Sequence, residues 1–270
     1  MHEAFVFDLD PVLFRIGPVQ IHYYSLIFVT MLYIGFLFWR HQVIRGGYSK
    51  ELAERPLIWV FAAIILGGRI GSCIFYRSSK YLADPISILY VWEGGLSSHG
   101  VLLGLMVVGV IFSLRNRMRI LEVFDRFAMT ALVGAAMVRL GNFLNSEIVG
   151  RATDVPWAVR FIRYDGGNVA RHPSQLYESA LGFFVLLVLY FADKQAGKEK
   201  RPLGLISGLA FTLYFFGRFL VEFLKEPHVL KDSFLNMGQY LSIPLFLIGV
   251  VILIWSKHNS KNRKISPIGT

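Results

Sequence analysis

Seven stretches of the chain are apolar enough and long enough to cross a lipid bilayer: residues 21–39, 57–75, 96–114, 124–140, 176–192, 203–223 and 237–255. A helix needs roughly 20 apolar residues to span the hydrocarbon core, where its backbone must satisfy its own hydrogen bonds. The pattern predicts an all-α fold, a polytopic membrane helix bundle of about seven transmembrane helices in one domain over residues 1–256. A polar segment, 257–270, is expected to follow as a disordered cytoplasmic tail. The fourth stretch is the least sharply bounded. Asp125 and Arg126 open it and Arg139 lies near its end, and each charge costs about 2.5–3.5 kcal/mol at a bilayer centre.

The loops orient the bundle. Arg40, Arg45, Lys50 and Arg55 follow the first span, Arg115, Arg117 and Arg119 the third, and Lys194, Lys198, Lys200 and Arg201 the fifth, while Lys257, Lys261, Arg263 and Lys264 close the chain. With seven crossings all of these share one side, which the positive-inside rule makes cytoplasmic. The N-terminus is then periplasmic, the C-terminus cytoplasmic, and the long loop region at about 141–175 periplasmic. Residues 1–18 carry Glu3, Asp8, Asp10 and Pro11 where a cleavable signal would carry a basic run, so the first span is expected to do the targeting.

Composition agrees with a multi-pass membrane protein: 54% of residues are hydrophobic, only 17% charged, and the mean hydropathy is +0.51. The net charge of +10 comes mostly from the short basic loops, which points to topology and away from nucleic acid. A single cysteine, Cys73, inside an apolar run removes any internal disulfide framework and speaks against a thiolate metal site. Glycines four apart at Gly67 and Gly71, Gly100 and Gly104, and Gly204 and Gly208 would let helices approach closely.

Three polar features interrupt the apolar pattern. Arg139, Asn142, Asn145, Glu147, Gly150 and Arg151 crowd the outward end of the fourth span. A guanidinium can fork onto two phosphate oxygens, amides can bond hydroxyls or esters, and a carboxylate can hold the arginine. An ordinary polar cap with an Arg139–Glu147 pair would use the same residues. The second feature, Trp92-Glu93-Gly94-Gly95-Leu96-Ser97-Ser98-His99-Gly100, puts a histidine at membrane depth, where a polar group needs a partner or a task. Imidazole is the side chain best matched to moving protons near neutral pH, although a histidine bonded to a backbone carbonyl at a helix start is the commoner outcome. Third, Tyr214, Arg218 and Glu222 recur every four residues and share one helix face, on which Arg218 and Glu222 could simply pair. Arg69 in the second span is ambiguous in the same way, and Arg171 to Glu178 opens the fifth span. Several outward-facing segments thus each deliver a cation, as an anionic substrate held at the lipid interface would require. A lipid phosphate suits that arrangement.

With these motifs in view, the chain resembles the bacterial phosphatidylglycerol:prolipoprotein diacylglyceryl transferase family from end to end. The resemblance runs through Gly17-Pro18 with Tyr23-Tyr24, Gly67-Gly68-Arg69, Gly94-Gly95 with His99-Gly100, the run Arg139 to Arg151, Arg171 to Glu178, Tyr214 to Glu222, and Gly238-Gln239-Tyr240-Leu241-Ser242. It implies seven spans and an active site open to the outer face and to the bilayer. It also implies transfer of diacylglyceryl from phosphatidylglycerol to the lipobox cysteine thiol in the signal peptide of a preprolipoprotein, forming a thioether and releasing glycerol-1-phosphate. By position, His99, Arg139 and Arg218 correspond to catalytic residues, with both arginines on the headgroup, and Tyr24, Asn142, Glu147, Gly150 and Tyr214 to other substrate-binding positions. Cys73 has no part in such chemistry, and neither a metal nor another cofactor is expected. The sequence departs from the family pattern at Val101 and Ser25, where glycine is common. A membrane transporter for an anionic solute is the alternative, because arginines inside a bundle also mark permeation paths. It predicts polar residues in both membrane halves, whereas His99, Asn142, Asn145 and Glu147 favour the outer one.

Overall fold

The computed structural model describes residues 4–17, 19–75, 78–90, 97–226 and 235–265. Residues 92–96 of the histidine motif and Pro18 lie outside them. Six segments are long and apolar enough to cross a membrane: Tyr23–Arg45, Lys50–Ile74, Ile120–Leu144, Ser174–Gln195, Leu205–Leu224 and Met237–Ser260. The remaining predicted span is the shorter apolar helix α6, Ser98–Arg115. The chain is a polytopic, mostly helical membrane protein. Exposed apolar side chains suit a lipid surround: Leu26, Val29, Tyr33 and Leu37 recur every three or four residues along α1, Tyr23–Arg45.

The chain forms two compact units, one of residues 40–124 and the other of 1–39 with 125–270. In the first, the short helices α2, Lys50–Glu54, and α3, Leu57–Ala62, lead through a π-helical turn, Ala63–Gly67, into α4, Gly68–Phe75. This segment meets α6 almost backbone to backbone. A Cβ on Gly67 would lie 2.6 Å from the Gly100 carbonyl oxygen, and one on Gly104 would lie 2.8 Å from that of Ala63. The close approach predicted from glycine spacing is therefore present for these pairs. Gly204 has another task, since its φ of +83° starts a helix in a conformation that costs most other residues energy. Arg69 is a structural clamp, donating from Nε to the Ile88 carbonyl at 2.8 Å and from Nη2 to those of Ser87 and Tyr90 at 2.6 and 2.8 Å. It thereby holds the segment after α5, Ser78–Ala83.

The second unit is built on α7, Ile120–Leu144, α9, Ser174–Gln195, and α10, Leu205–Val221. Ala128, Met129 and Leu132 of α7, Val185 and Leu189 of α9, and Ile206 and Ala210 of α10 form its buried apolar core. Two more close approaches fix the helices. A Cβ on Gly182 of α9 would lie 2.9 Å from Ala136 Cβ of α7, and one on Gly217 of α10 would lie 2.8 Å from Leu181 Cδ2 of α9.

The charges that blurred the fourth predicted span turn out to be internal. Asp125 accepts hydrogen bonds from Gly204 N at 2.8 Å, Ser207 N at 2.8 Å and Ser207 Oγ at 2.7 Å, so α7 caps the N-terminus of α10. Arg126 pairs with Glu199 at 2.8 Å, and Arg201 with Asp193 at 2.7 Å. The charges face neighbouring helices, not lipid, and the helix runs its full 25 residues.

Two small sheets add to the helical pattern, neither foreseen from the sequence. Strand β1, Phe5–Phe7, pairs in parallel with β4, Val159–Phe161, which leads into the one-turn helix α8, Ile162–Asp165, and pairs antiparallel with β5, Ala170–Arg171. Strands β2, Val12–Ile16, and β3, Val19–His22, form a hairpin leading into α1. Phe7 packs on Phe143 and Phe161 with ring centroids 4.6 and 5.9 Å away, so the N-terminal strand fastens the 141–175 region to the end of α7. At the other terminus, α11 is helical from Met237 to Ile265, through residues 257–265 of the expected disordered tail. That stretch holds no glycine or proline to stop a helix, and its lysines and arginine suit a helix C-terminus.

Candidate active site

Polar residues at the start of α9 decide where the site forms. Ser174 Oγ donates to the Ile148 carbonyl at 3.0 Å and Gln175 Nε2 to that of Glu147 at 2.7 Å, so the first turn of α9 is pinned to the chain leaving α7. One turn on, the same buried face carries Glu178, then Gly182 against Ala136. Helix packing and polar pins therefore aim Glu178 into the protein interior, where it is 1% exposed.

Three cations converge on that carboxylate. Arg139 Nε lies 3.1 Å from Oε2, Arg218 Nη1 donates to Oε1 at 2.8 Å, and Lys225 Nζ lies 3.2 Å from Oε1. Lys225 also reaches Glu222 at 3.2 Å. Two unit charges 4 Å apart interact by about 4 kcal/mol at an effective dielectric of 20, so mutual repulsion of these cations is held off by the carboxylates between them. Burial, reinforced by Arg218 and Arg139, pushes the Lys225 ammonium below its ordinary pKa against the opposing pull of Glu178 and Glu222.

A polar chain leads outward from Arg139. Its Nη1 donates to Asn142 Oδ1 at 3.4 Å, Asn142 Nδ2 to Glu147 Oε2 at 3.3 Å, and Asn145 Nδ2 to Glu147 Oε1 at 3.4 Å. Glu147 is exposed and sits on amides; the direct Arg139–Glu147 pair weighed from the sequence does not form. Tyr214 sits one turn before Arg218 on α10, and the Tyr24 ring lies over Gly141, where a Cβ would come within 2.7 Å of Cδ2. The Arg218–Glu222 pair that the sequence left open does not form. Helix α10 gives way to a 3-10 turn at Glu222–Leu224, which swings Glu222 toward Lys225 and Gly238, so Arg218 pairs with Glu178 instead.

Gly150 is where three segments meet. Its N–H donates to the His172 carbonyl at 3.0 Å and that of Arg151 to the Leu224 carbonyl at 3.0 Å, while Glu226 N reaches back to Val149 O at 3.4 Å. A Cβ there would lie 2.6 Å from His172 Cβ and 2.8 Å from the Leu224 carbonyl oxygen, so the absence of a side chain lets Lys225 reach Glu178. Nearby, Arg171 ties the layer together through Asp165 at 2.8 Å and Glu226 at 3.2 Å. Burial and the charge of Arg151 hold the His172 imidazole below its ordinary pKa.

Of the residues singled out from the sequence, Arg139, Arg218, Asn142, Glu147, Gly150, Tyr214 and Tyr24 belong to this one unit, the first two joined through Glu178. His99 belongs to the 40–124 unit, half-buried in the first turn of α6, a helix capped by Ser97 Oγ accepting from Gly100 N at 3.2 Å. Glu178 and Lys225 were not chosen from the sequence as site residues. The available signal was a carboxylate one turn inside an apolar span, which demands a cationic partner.

A family model described as prolipoprotein diacylglyceryl transferase matches residues 11–255. The phosphatidylglycerol--prolipoprotein diacylglyceryl transferase of Vibrio cholerae serotype O1 is 41% identical over 258 residues, covering 92% of each chain. Those of Vibrio vulnificus and Brucella anthropi are 40% and 37% identical, covering 92% and 90% of each chain. A match reaching from the β2 strand to α11, and taking in every residue around Glu178, places this chain in the prolipoprotein diacylglyceryl transferase family.

Proposed function

We infer that the protein transfers the diacylglyceryl group of phosphatidylglycerol to the lipobox cysteine thiol of preprolipoproteins, the first step of bacterial lipoprotein maturation in the inner membrane. The observation that carries this reading is the pair of buried guanidiniums, Arg139 and Arg218, held on one carboxylate in a chain whose relatives bear that enzyme name. The proposed topology has seven crossings, with α6 as the third, the N-terminus periplasmic, and the Glu178 cluster toward the periplasmic leaflet. The transporter alternative is not favoured by any relative named above.

The reaction needs a nucleophile, a place for its proton and a stabilised leaving group. A thiol with an unperturbed pKa of about 8.5 is mostly protonated at neutral pH. In the proposed mechanism His99 accepts that proton and the thiolate sulfur attacks the glyceryl carbon that carries the phosphodiester oxygen. The carbon–oxygen bond breaks and its electron pair leaves on glycerol-1-phosphate, whose charge Arg139 and Arg218 stabilise. Asn142, Glu147, Tyr24 and Tyr214 line the proposed headgroup site, and Gly150 shapes its wall.

Purified protein in phosphatidylglycerol vesicles, given a lipobox peptide, should yield a peptide heavier by one diacylglyceryl group together with glycerol-1-phosphate in equal amount. A peptide with serine in place of the cysteine should stay unmodified. Failure of the cysteine peptide to gain mass would overturn the reading.

A further inference from the structure

We propose that Glu178 is a positioning residue for this reaction, a buried counter-ion that holds Arg139 and Arg218 side by side as a preformed receptor for the phosphate of the lipid headgroup. The proposal rests on the function inferred above and extends it to a residue outside the predicted site. Glu178 is too buried to meet substrate, yet it touches a cation from each of three segments: Arg139 on α7, Arg218 on α10 and Lys225 beyond α10.

Its two carboxyl oxygens are divided between the two arginines, Oε2 facing Arg139 Nε and Oε1 facing Arg218 Nη1. Each guanidinium has five N–H donors in a fixed plane: the hydrogen bond to Oε1 sets the direction of Arg218, while Arg139 is held by its ion pair with Oε2 and by its hydrogen bond to Asn142. The anchor itself is over-determined. Ser174 and Gln175 fix the turn before it, Gly182 seats α9 on α7, and Leu181 seats α9 on Gly217 beside Arg218. Lys225 is delivered by the backbone ladder around Gly150 and adds a third positive charge on the same oxygen as Arg218. Among the described residues, the ion pairs of this cluster join three cations to two carboxylates, so one positive charge awaits an anion.

A glutamine at this place keeps the shape and loses the function of the anchor. Its single oxygen can hold one arginine, and its NH2 turns a donor toward the other. An aspartate keeps the charge on a stem one carbon shorter, so it holds both arginines imperfectly. The test compares wild type, Glu178→Gln and Glu178→Asp in phosphatidylglycerol vesicles with a lipobox peptide, reading kcat, KM for the lipid and inhibition by glycerol-1-phosphate. For Glu178→Gln we expect kcat/KM to fall about 100-fold, in the range seen when one preorganised charge-stabilising donor is lost. KM and the glycerol-1-phosphate inhibition constant should rise together, and Glu178→Asp should recover part of each.

A carboxylate needed only for folding would lower the amount of active protein and leave KM and the inhibition constant at wild-type values. That outcome in Glu178→Asp, or in both variants, overturns the proposal, and Glu178→Asp alone decides it where the glutamine variant does not fold. An inactive wild type would sink the transferase reading itself, whereas an active wild type with unaltered variants sinks the role of Glu178 alone.

Discussion

Among the described residues of the 125–270 region, the ion pairs around Asp125 and around Glu178 are resolved in different ways. Around Asp125, Arg126 pairs with Glu199 and Arg201 with Asp193, and the Asp125 carboxylate is met by the N-terminus of α10 through three hydrogen bonds. Around Glu178, three cations face two carboxylates, and among the described residues no helix end or further carboxylate settles the remainder. A cluster complete within the protein reads as architecture. One left with a positive remainder reads as a place for an anion that comes and goes, and the cost of burying it is met only when that anion is bound.

Exchanging the damage done at the two clusters is the strongest way to break this contrast. Arg139→Ala or Arg218→Ala should cost about 100- to 1,000-fold in kcat/KM, the scale for losing one preorganised charge-stabilising donor. Melting temperature should move little by comparison, and transfer assays and thermal scans on the same vesicle preparations would check both. Asp125→Ala should do the reverse. It leaves the Gly204 and Ser207 N–H groups and the Ser207 hydroxyl at the start of α10 without their acceptor, about 1–3 kcal/mol for each buried group left unpaired, while each molecule that remains folded should turn over at the wild-type rate.

Gly150→Ala sharpens the comparison because it strikes geometry without touching charge. Its new methyl must displace His172 Cβ or the Leu224 carbonyl, at about 1–3 kcal/mol for overpacking, and the strain should pull Lys225 from Glu178 and reduce turnover several-fold. The smallest effect belongs to Arg163→Ala. That arginine meets Asp10 at 3.5 Å with both side chains substantially exposed, so loss of the pair should change stability by less than about 1 kcal/mol and activity not at all.

The helices were legible because the bilayer asks one simple question of a sequence, whether some 20 consecutive residues can face hydrocarbon, and every run that met it became a helix. The strands answer no such local rule. Strand β1 is three residues long and takes as its partner a strand more than 150 residues away, so no short window could reveal it. The site was half legible. Arg139 and Arg218 announced themselves by the cost of a charge in an apolar run, but Glu178 was masked by the polar residues opening α9. The Arg218–Glu222 pair that helical spacing allowed does not form, because the α-helix ends at Val221 and Glu222 turns to Lys225.

The glycine contact between the 50–75 segment and α6 also limits how this region can evolve. Gly67 and Gly100 obstruct each other reciprocally: a Cβ on either would strike the other's carbonyl oxygen. In an ordinary core, a neighbour can shrink to admit a larger newcomer, but here the neighbour is already the smallest residue there is, and the obstacle is main chain. No second-site change of side chain can therefore rescue a first substitution at either position, and sequences that drift everywhere else along these two helices should remain fixed at this crossing.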